Sequence, residues 1–532
     1  MKRLFTFLSF FISISLFSQI IVSKLPGEAY LTYKSSVPVF SYPEVDHDLM
    51  LAEDEMESSN KEVALRIAIP FEKEIDLIEK GFSYFDDFGN QNWIIQLDLP
   101  GAFAVGVILD RFNIPNGAEL YVFNEARSSV NGAITAINNN ERKALQVSPV
   151  QGNSVFVLYS EPIVSEFHGE IRIKSVSHLY RDLYHTDKGF GDSGSCNVNV
   201  VCPEGDAWQD EVRSVALIIN GNGSRICTGA MINNTALDGT PFFLTAEHCL
   251  PSNVNDVGLW SFIFDYKSAS CSPSVNGLLG NSVFGSELKA SNTNNDFALL
   301  ELDNAPPFDY NVYYSGWSRS TLLINSTTGI HHPSGDVMKI SKDDNPPVLS
   351  AYLGGTGTDY WKVVDWDLGT TEGGSSGSPL FNPSGRIIGQ LRGGQAACSN
   401  DLPDYYGAFY KSWDNGADAS ERLMDWLDPI DIDPTNLNGV NLNEVGIIES
   451  STTLDFTLFP NPAREEVNIL FPKEVQIEKI RVNDLSGRQL IDLTIQQNLR
   501  EYKLDLNGLA KGAYQLILIS SEANSSRIII IE

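Results

Sequence analysis

The chain has 532 residues, enough for roughly three or four domains of ordinary size. It is 42% hydrophobic and 20% charged, a globular composition that excludes a disordered, collagen-like or coiled-coil chain. Acidic residues number 68 against 37 basic ones, and the net charge of −31 repels phosphate backbones, so no nucleic-acid partner is expected and a cationic substrate would suit it.

Residues 1–18 have the pattern of a secretory signal peptide: Lys2 and Arg3 precede an apolar run from Leu4 to Phe17. That run is short for a membrane span, and nothing later reaches its length, so no transmembrane segment is expected once it is removed. Residues 19–188 form a leader. A polar stretch with an acidic patch at residues 53–57 gives way to strand-like segments, WIIQLDL, FAVGVIL, ELYVF and SVFVLY, separated by turns. Short strands at regular spacing predict a β-sandwich. His47, His168, His178 and His185 are scattered through it and read as surface or structural groups.

Residues 189–430 carry all six cysteines. In an exported chain an even number confined to one segment predicts three disulfides in one domain, with the pairing open. No CxxC pair occurs, which disfavours a zinc site, and no metal or other cofactor is expected. The segment is strand-rich, with a helical pattern at ASERLMDWL (419–427). Residues 431–453, rich in Asn, Asp and Pro, read as a linker. Residues 454–532 alternate apolar and polar again, in VNILF, IEKIRVND, YKLDL and YQLILIS, and predict a small β-sandwich. The fold class is therefore mainly β throughout.

Three motifs in residues 189–430 carry chemistry. In GGSSGSPL (373–380), a tight turn would expose Ser376 as a nucleophile, with the N–H groups of Gly374 and Ser376 as an oxyanion hole. The α/β-hydrolase elbow does not fit, because Ser378 occupies its last glycine position. Alone the motif is weak, since Gly/Ser-rich turns are common. In FFLTAEHC (242–249), an apolar strand ends at His248 and Cys249, and Cys249 can pair with Cys227 to pin that turn. In NNDFALLEL (294–302), Asp296 opens an apolar strand, where a buried carboxylate needs a partner such as a histidine N–H. The order His248, Asp296, Ser376 is that of the chymotrypsin-like proteases. His248 would take the Ser376 proton, and Asp296 would fix its tautomer and stabilise its charged form.

Residues 191–429 resemble the lysyl endopeptidases, secreted bacterial serine proteases, in GDSGSCNVNVVCPEGD, ICTGAMINNTALDGTPFFLTAEHC, NDFALLELDNAP, GIHHPSGDVMKIS, GGSSGSP, IIGQLRGGQAACSN and DYYGAFYKSW. The resemblance implies a chymotrypsin-like double β-barrel, cleavage after lysine in exposed protein or peptide substrates, and disulfides Cys196–Cys398, Cys202–Cys271 and Cys227–Cys249. Thr370 stands where trypsin has its acidic pocket residue; the family's lies on the segment matching DYYG, which implies Asp404. Two residues depart from the family: Tyr352 replaces a tryptophan and Arg392 a histidine, both expected beside the pocket. An inward Arg392 would weaken lysine binding; an outward one would do little. The net charge of residues 189–430, 28 acidic against 12 basic, gives −16, a field that favours lysine-rich substrates. Broader or arginine-including specificity is the alternative. So is a catalytically dead surface-binding protein, which the intact triad disfavours.

The stretches FTLFPNPAREEVNI, VNDLSGRQL and LNGLAKGAYQLILI resemble the C-terminal sorting domain of the type IX secretion system. That implies the secretion machinery as a partner and a surface or extracellular destination, reached through the periplasm and outer membrane. The leader then reads as a propeptide of a zymogen. Lys188 and Gly189, in a polar glycine-rich stretch, form a junction that a lysine-specific enzyme could process itself.

Overall fold

Runs of alternating or continuous apolar residues build strands, and the computed structural model is β-dominated. It describes residues 33–57, 61–86, 88–183, 193–272, 277, 279–322, 324–442, 456–460, 463–464, 466–484, 489–509, 511–520 and 524–531. The chain divides into two units, at Asn441 and Leu442. Among the described residues no helix is long and apolar enough to cross a membrane.

The leader consists of two sheets. One runs in the order Val39–Ser41, Gln91–Asp98, Ser154–Glu161, Glu119–Asn124, Val130–Ile134, with Phe82–Phe85 paired to Gln91–Asp98. The other runs Ala68–Asp76, Glu170–Leu179, Ala104–Asn113, Leu145–Gln151. Alternate residues of each meet in a single apolar cluster: Trp93, Ile95 and Leu97 from one, Val105, Val107 and Leu109 from the other. The polar stretch before them, read as featureless from sequence, holds an α-helix at His47–Glu57. Asp46 starts it by accepting the Leu49 N–H.

Two larger sheets follow. The first runs Ser282–Phe284, Ser261–Phe264, Val215–Ile219, Arg225–Met231, Phe242–Ala246, Phe297–Leu302, Ser286–Asn292. The second runs Val198–Asn199, Lys339–Asp343, Thr327–His331, Pro379–Phe381, Arg386–Gly394, Asp404–Ala408, Tyr360–Val363, Val348–Ser350. They stand where the resemblance implies the two halves of a double barrel. Trp317, stacked on Phe409 and tilted against Trp413, lies in the core that joins residues of both sheets. Three disulfides join Cys196 to Cys398, Cys202 to Cys271 and Cys227 to Cys249.

The leader is not a separate bead. Its strand Leu65–Arg66 adds to the first of these larger sheets by pairing with Ile226 and Arg225. Leu65, Ile67, Leu179 and Leu183 share a buried cluster with Leu217, Ile226, Ile263 and Tyr266.

Two expected boundaries move. The helical pattern at 419–427 yields only Met424–Leu427, because Asp418 accepts the Ser420 N–H and hydroxyl, and Trp426 Nε1 donates to the Ala419 carbonyl. A helix absent from the sequence reading lies at Phe409–Asp414. The segment 431–453 is not a linker from its start. Asn436–Leu437 pairs with Gly316–Ser318, and Val440–Asn441 with Tyr313–Tyr314. Gly316 permits that approach, since a Cβ there would lie 2.4 Å from the Leu437 carbonyl oxygen.

The second unit is one antiparallel sheet. Glu466–Asp484 pairs along its length with Gln489–Asp505, and its other edge takes Thr457–Phe459 and Gly512–Ser520, with Asn524–Ile531 outermost. Register shifts along Glu466–Asp484 bend the sheet around an apolar cluster that includes Phe456, Ile469, Ile480 and Leu516.

Candidate active site

His248 follows a buried strand, Asp296 precedes another, and Ser376 lies in a turn before a third. Phe242–Ala246 is buried throughout and delivers His248 on a short 3-10 turn. The Cys227–Cys249 disulfide ties that turn to the neighbouring strand. Asp296 immediately precedes Phe297–Leu302 and has a left-handed backbone, φ 58°. A non-glycine residue stays in that region only when its surroundings compel it. Gln390 does so from the other barrel, donating to the carbonyls of Asn295 and Asp296 at 2.9 and 3.2 Å.

The buried Asp296 carboxylate accepts twice from His248, from the backbone N–H at 3.0 Å and from Nδ1 at 2.8 Å. This leaves Nε2 turned away, and among the described residues it has no hydrogen-bond partner. Burial and the Asp296 charge push the adjacent Glu247 carboxyl above its ordinary value.

Ser376 belongs to the second barrel, in the turn before Pro379–Phe381. The Thr228 N–H bonds its carbonyl at 2.8 Å, so the Ser376 turn is stitched to the strand carrying Cys227. Gly374 has φ 87°, a conformation glycine adopts freely, and a Cβ there would press on the His332 carbonyl at 2.9 Å. The Ser375 N–H is satisfied by Glu372 and that of Gly377 by Leu391. Among the described residues the Gly374 and Ser376 N–H groups donate to no acceptor. They are the pair expected to receive an oxyanion.

His331 fixes this turn from below. The Ser341 hydroxyl donates to the Thr370 carbonyl, so it accepts from His331 Nε2–H at 2.9 Å. Nδ1 is then left to accept the Ser375 hydroxyl at 2.8 Å. Burial pushes His331 down to about 3 and His332 to about 4, so both are neutral.

Asp404 is fully buried. Its Oδ2 accepts from Thr371 Oγ1 at 2.7 Å and Trp366 Nε1 at 2.9 Å. Its Oδ1 lies 3.0 Å from an ammonium, that of Lys61 in the leader. Lys61 Nζ also donates to Thr371 Oγ1 at 2.9 Å and the Ala396 carbonyl at 2.8 Å. At the other end of the same residue, the Ser376 hydroxyl donates to the Lys61 carbonyl at 3.1 Å.

Residues 190–407 match the lysyl endopeptidase C-terminal domain. Residues 457–532 match the secretion system C-terminal sorting domain, which marks the chain for export to the cell surface or beyond. A curated lysyl endopeptidase of Pseudomonas aeruginosa is 34% identical over 246 residues, covering 42% of this chain and 51% of that protein. The chain thus spans about half the length of the curated relative it matches. Solved structures with some likeness include the Rv3671c protease of M. tuberculosis in its active form and a Glu endopeptidase. The first has TM-score 0.26 and 15% identity, covering 38% of this chain and 80% of that one. The second has TM-score 0.25 and 17% identity, covering 41% and 93%. At these scores they add no weight to the sheet topology.

In this lysyl endopeptidase-like domain, the two departures stand together. The Arg392 guanidinium lies over the Tyr352 ring, 4.3 Å from its centroid, and donates to the Tyr360 hydroxyl at 2.5 Å. Burial lowers its pKa, but the Tyr360 phenol and the Asp296 carboxylate outweigh that and hold it above the ordinary value. Burial drives Tyr360 up to about 12, and burial with the nearby Glu62 raises Tyr352.

Several residues that shape the site had no sequence signal. Thr371 and the Ala396 carbonyl accept from the ammonium and Trp366 donates to Asp404, and nothing in their spacing joins them. Glu372 is another: its carboxylate accepts from Gly194 N–H, Asn197 Nδ2 and Ser334 Oγ, tying the start of the domain to the nucleophile turn. Lys188, Gly189 and the signal peptide lie outside the described residues. His47 and His178 share a contact, Nε2 to Nε2 at 3.1 Å, and His168 meets Glu161; all lie in the leader, away from Asp296 in sequence and sheet. His185 is outside the described residues.

Proposed function

We propose that the chain is an exported serine endopeptidase that hydrolyses peptide bonds on the carboxyl side of lysine through an acyl-enzyme. The observation carrying lysine preference is the ring of acceptors around the Lys61 ammonium. An ammonium has three N–H donors and no more. Here they meet three acceptors: Asp404 Oδ1, Thr371 Oγ1 and the Ala396 carbonyl, at 3.0, 2.9 and 2.8 Å. A planar guanidinium, with five donors in a rigid fork, has no such match. A carboxylate buried this deeply is costly without a cation, so an empty or apolar-filled pocket is disfavoured.

Catalysis follows from the arrangement. Ser376 Oγ attacks the lysyl carbonyl carbon while His248 Nε2 takes its proton. The N–H groups of Gly374 and Ser376 receive the oxygen as it becomes negative, each donor being worth roughly 10²–10³ in rate. Asp296 stabilises the imidazolium, which protonates the leaving amine. Water, deprotonated by His248, then releases the lysyl carboxylate and frees Ser376. Protein and peptide substrates with exposed lysine are the partners this reading requires, along with the type IX machinery that takes up the tail.

Digestion of an unstructured polypeptide by the leader-free enzyme, with the cleaved bonds mapped, tests it. Cuts should follow lysine. Asp404→Asn should lower kcat/KM at lysyl bonds by about 2–4 kcal/mol, the range for removing one partner of a buried charge pair. A scattered cleavage map, or an unchanged rate, would place the specificity determinant elsewhere.

A further inference from the structure

The lysine in the pocket belongs to the chain itself, and its setting is that of an inhibitor rather than a substrate. We propose that the leader is a tethered, reactive-loop inhibitor of the protease, with Lys61 plugging the pocket and the Lys61–Glu62 bond lying at Ser376 under conditions that resist its hydrolysis. The proposal rests on the lysine-pocket reading.

Three observations carry it. First, Lys61 is anchored at both ends. Its ammonium sits on Asp404 and its carbonyl on the Ser376 hydroxyl, which places its side chain and the following peptide bond in the register of a cleaved lysine.

Second, the bond is addressed but not poised. Lys61 has φ 59°, a left-handed backbone, whereas a bound substrate strand is extended. The Ser376 proton is directed at the Lys61 carbonyl oxygen while His248 Nε2 has no partner. Among the described residues no oxygen accepts from the Gly374 and Ser376 N–H groups. A nucleophile whose base is disengaged lacks near-attack geometry.

Third, the chain is clamped across the bond. Asp54, on the helix before it, accepts Arg66 Nε at 2.8 Å from beyond it. The same carboxylate accepts Tyr180 Oη at 2.7 Å and Arg181 at 2.8 Å, both on the body of the leader. Arg66 also lies in the two-residue strand paired to the protease sheet. Hydrolysis would add one water across Lys61–Glu62, leaving a carboxylate on Lys61 and an ammonium on Glu62. The clamp would keep those two ends together at high effective concentration, so that reversal, with loss of the same water, competes with departure.

The plug is tested by binding. In the full chain carrying Ser376→Ala, a dye-labelled tripeptide ending in lysine should bind at least tenfold more weakly than in the same chain with Lys61→Met added, because the intramolecular lysine competes at high effective concentration. Equal affinity overturns the plug. The cleavage map of the leader-free enzyme separates the two failures: retained lysine preference leaves the pocket reading standing and the plug wrong, and lost preference removes both. The clamp is tested by mass spectrometry of the full chain with Ser376 intact. Asp54→Asn should speed cleavage at Lys61–Glu62 at least tenfold over the parent, and cleavage no faster than the parent overturns the inhibitor reading.

Discussion

At the residue scale, the candidate site is a set of chemically matched pairs, and each can be removed singly. Ser376→Ala leaves a buried turn of nearly the same volume, so the protein should fold as before. Its peptidase activity, measured on the leader-free enzyme, should fall by roughly three or more orders of magnitude. Activity near wild type would exclude Ser376 as the nucleophile. Arg392 is the residue whose direction the sequence could not decide. The guanidinium rests on the Tyr352 ring and the Tyr360 hydroxyl rather than on Asp404. Its charge is thus engaged by two aromatic groups, contacts worth about 0.5–2 kcal/mol. Arg392→His should change kcat/KM at lysyl bonds by less than about 1 kcal/mol, the lower part of that range. A gain above tenfold would show that the charge opposes the incoming lysine.

At the element scale, the histidine turn depends on a covalent tie. Cys227 and Cys249 are separated by 22 residues and close the loop that ends in His248. The chain-entropy model gives about 3 kcal/mol for a loop of this size. The double variant Cys227→Ala, Cys249→Ala should lose about that much stability in denaturant unfolding. It should also lose turnover more than tenfold at a temperature where it is still folded, because His248 is released with its turn. Unchanged turnover would mean that the two Asp296 hydrogen bonds position the ring unaided. Elements were legible in the sequence where burial is continuous, as in Phe242–Ala246 and Phe297–Leu302, whose side chains face a core on both sides. They were illegible where side-chain hydrogen bonds or edge pairing decide. Asp418 and Trp426 undo most of one helical pattern, and Leu437 extends a sheet from a segment whose composition reads as a linker.

At the scale of the whole molecule, acid should loosen the leader and protease together. His331 and His332 are pushed down to about 3 and 4, chiefly by burial, and His178 in the leader to about 4 by burial and His47. The charges facing His331 are His332, Lys61 and Lys339, and those facing His332 are Asp336 and Lys339. Unfolded, each histidine takes up its proton near pH 6.5, while the folded protein does not until about pH 3–4. Their contribution to stability is therefore complete above pH 6.5 and lost as the pH falls through the folded values. Glu211 runs the other way. Burial raises it to about 7, so its contribution is complete below its ordinary value of 4.5 and lost as the pH rises through about 7. Glu247, Asp303 and Asp343 are raised too, but Glu161, Asp238 and Asp428 are lowered, so the carboxyls oppose one another; the three histidines set the sign, and denaturant stability should drop between pH 6.5 and 4.5. All eight tryptophans precede residue 442, so their fluorescence reports this unit alone. His331→Gln should flatten the pH slope; an unaltered slope would assign the acid sensitivity to other groups.

The residues proposed to perform the chemistry stood out in the sequence because each lies beside an apolar strand: His248 after one, Asp296 before another, Ser376 in a glycine-rich turn before a third. Apolar periodicity is a local property, and so are glycine turns and the cysteine beside the histidine. Asp404 and the disulfide pairing were reachable only through the resemblance of longer stretches. What tertiary structure alone decided is everything made by meeting at a distance. Thr371 and Trp366 meet at Asp404, and the Ala396 carbonyl meets the Lys61 ammonium, because segments distant in sequence end there. Glu372 holds Gly194 across a separation no periodicity records. Lys61, in a polar stretch without any pattern, reaches the deepest part of the protease because its neighbours Leu65 and Ile67 join the protease core. A lone lysine has no signature in sequence; only the acceptors around its ammonium distinguish it from the surface lysines of the same leader.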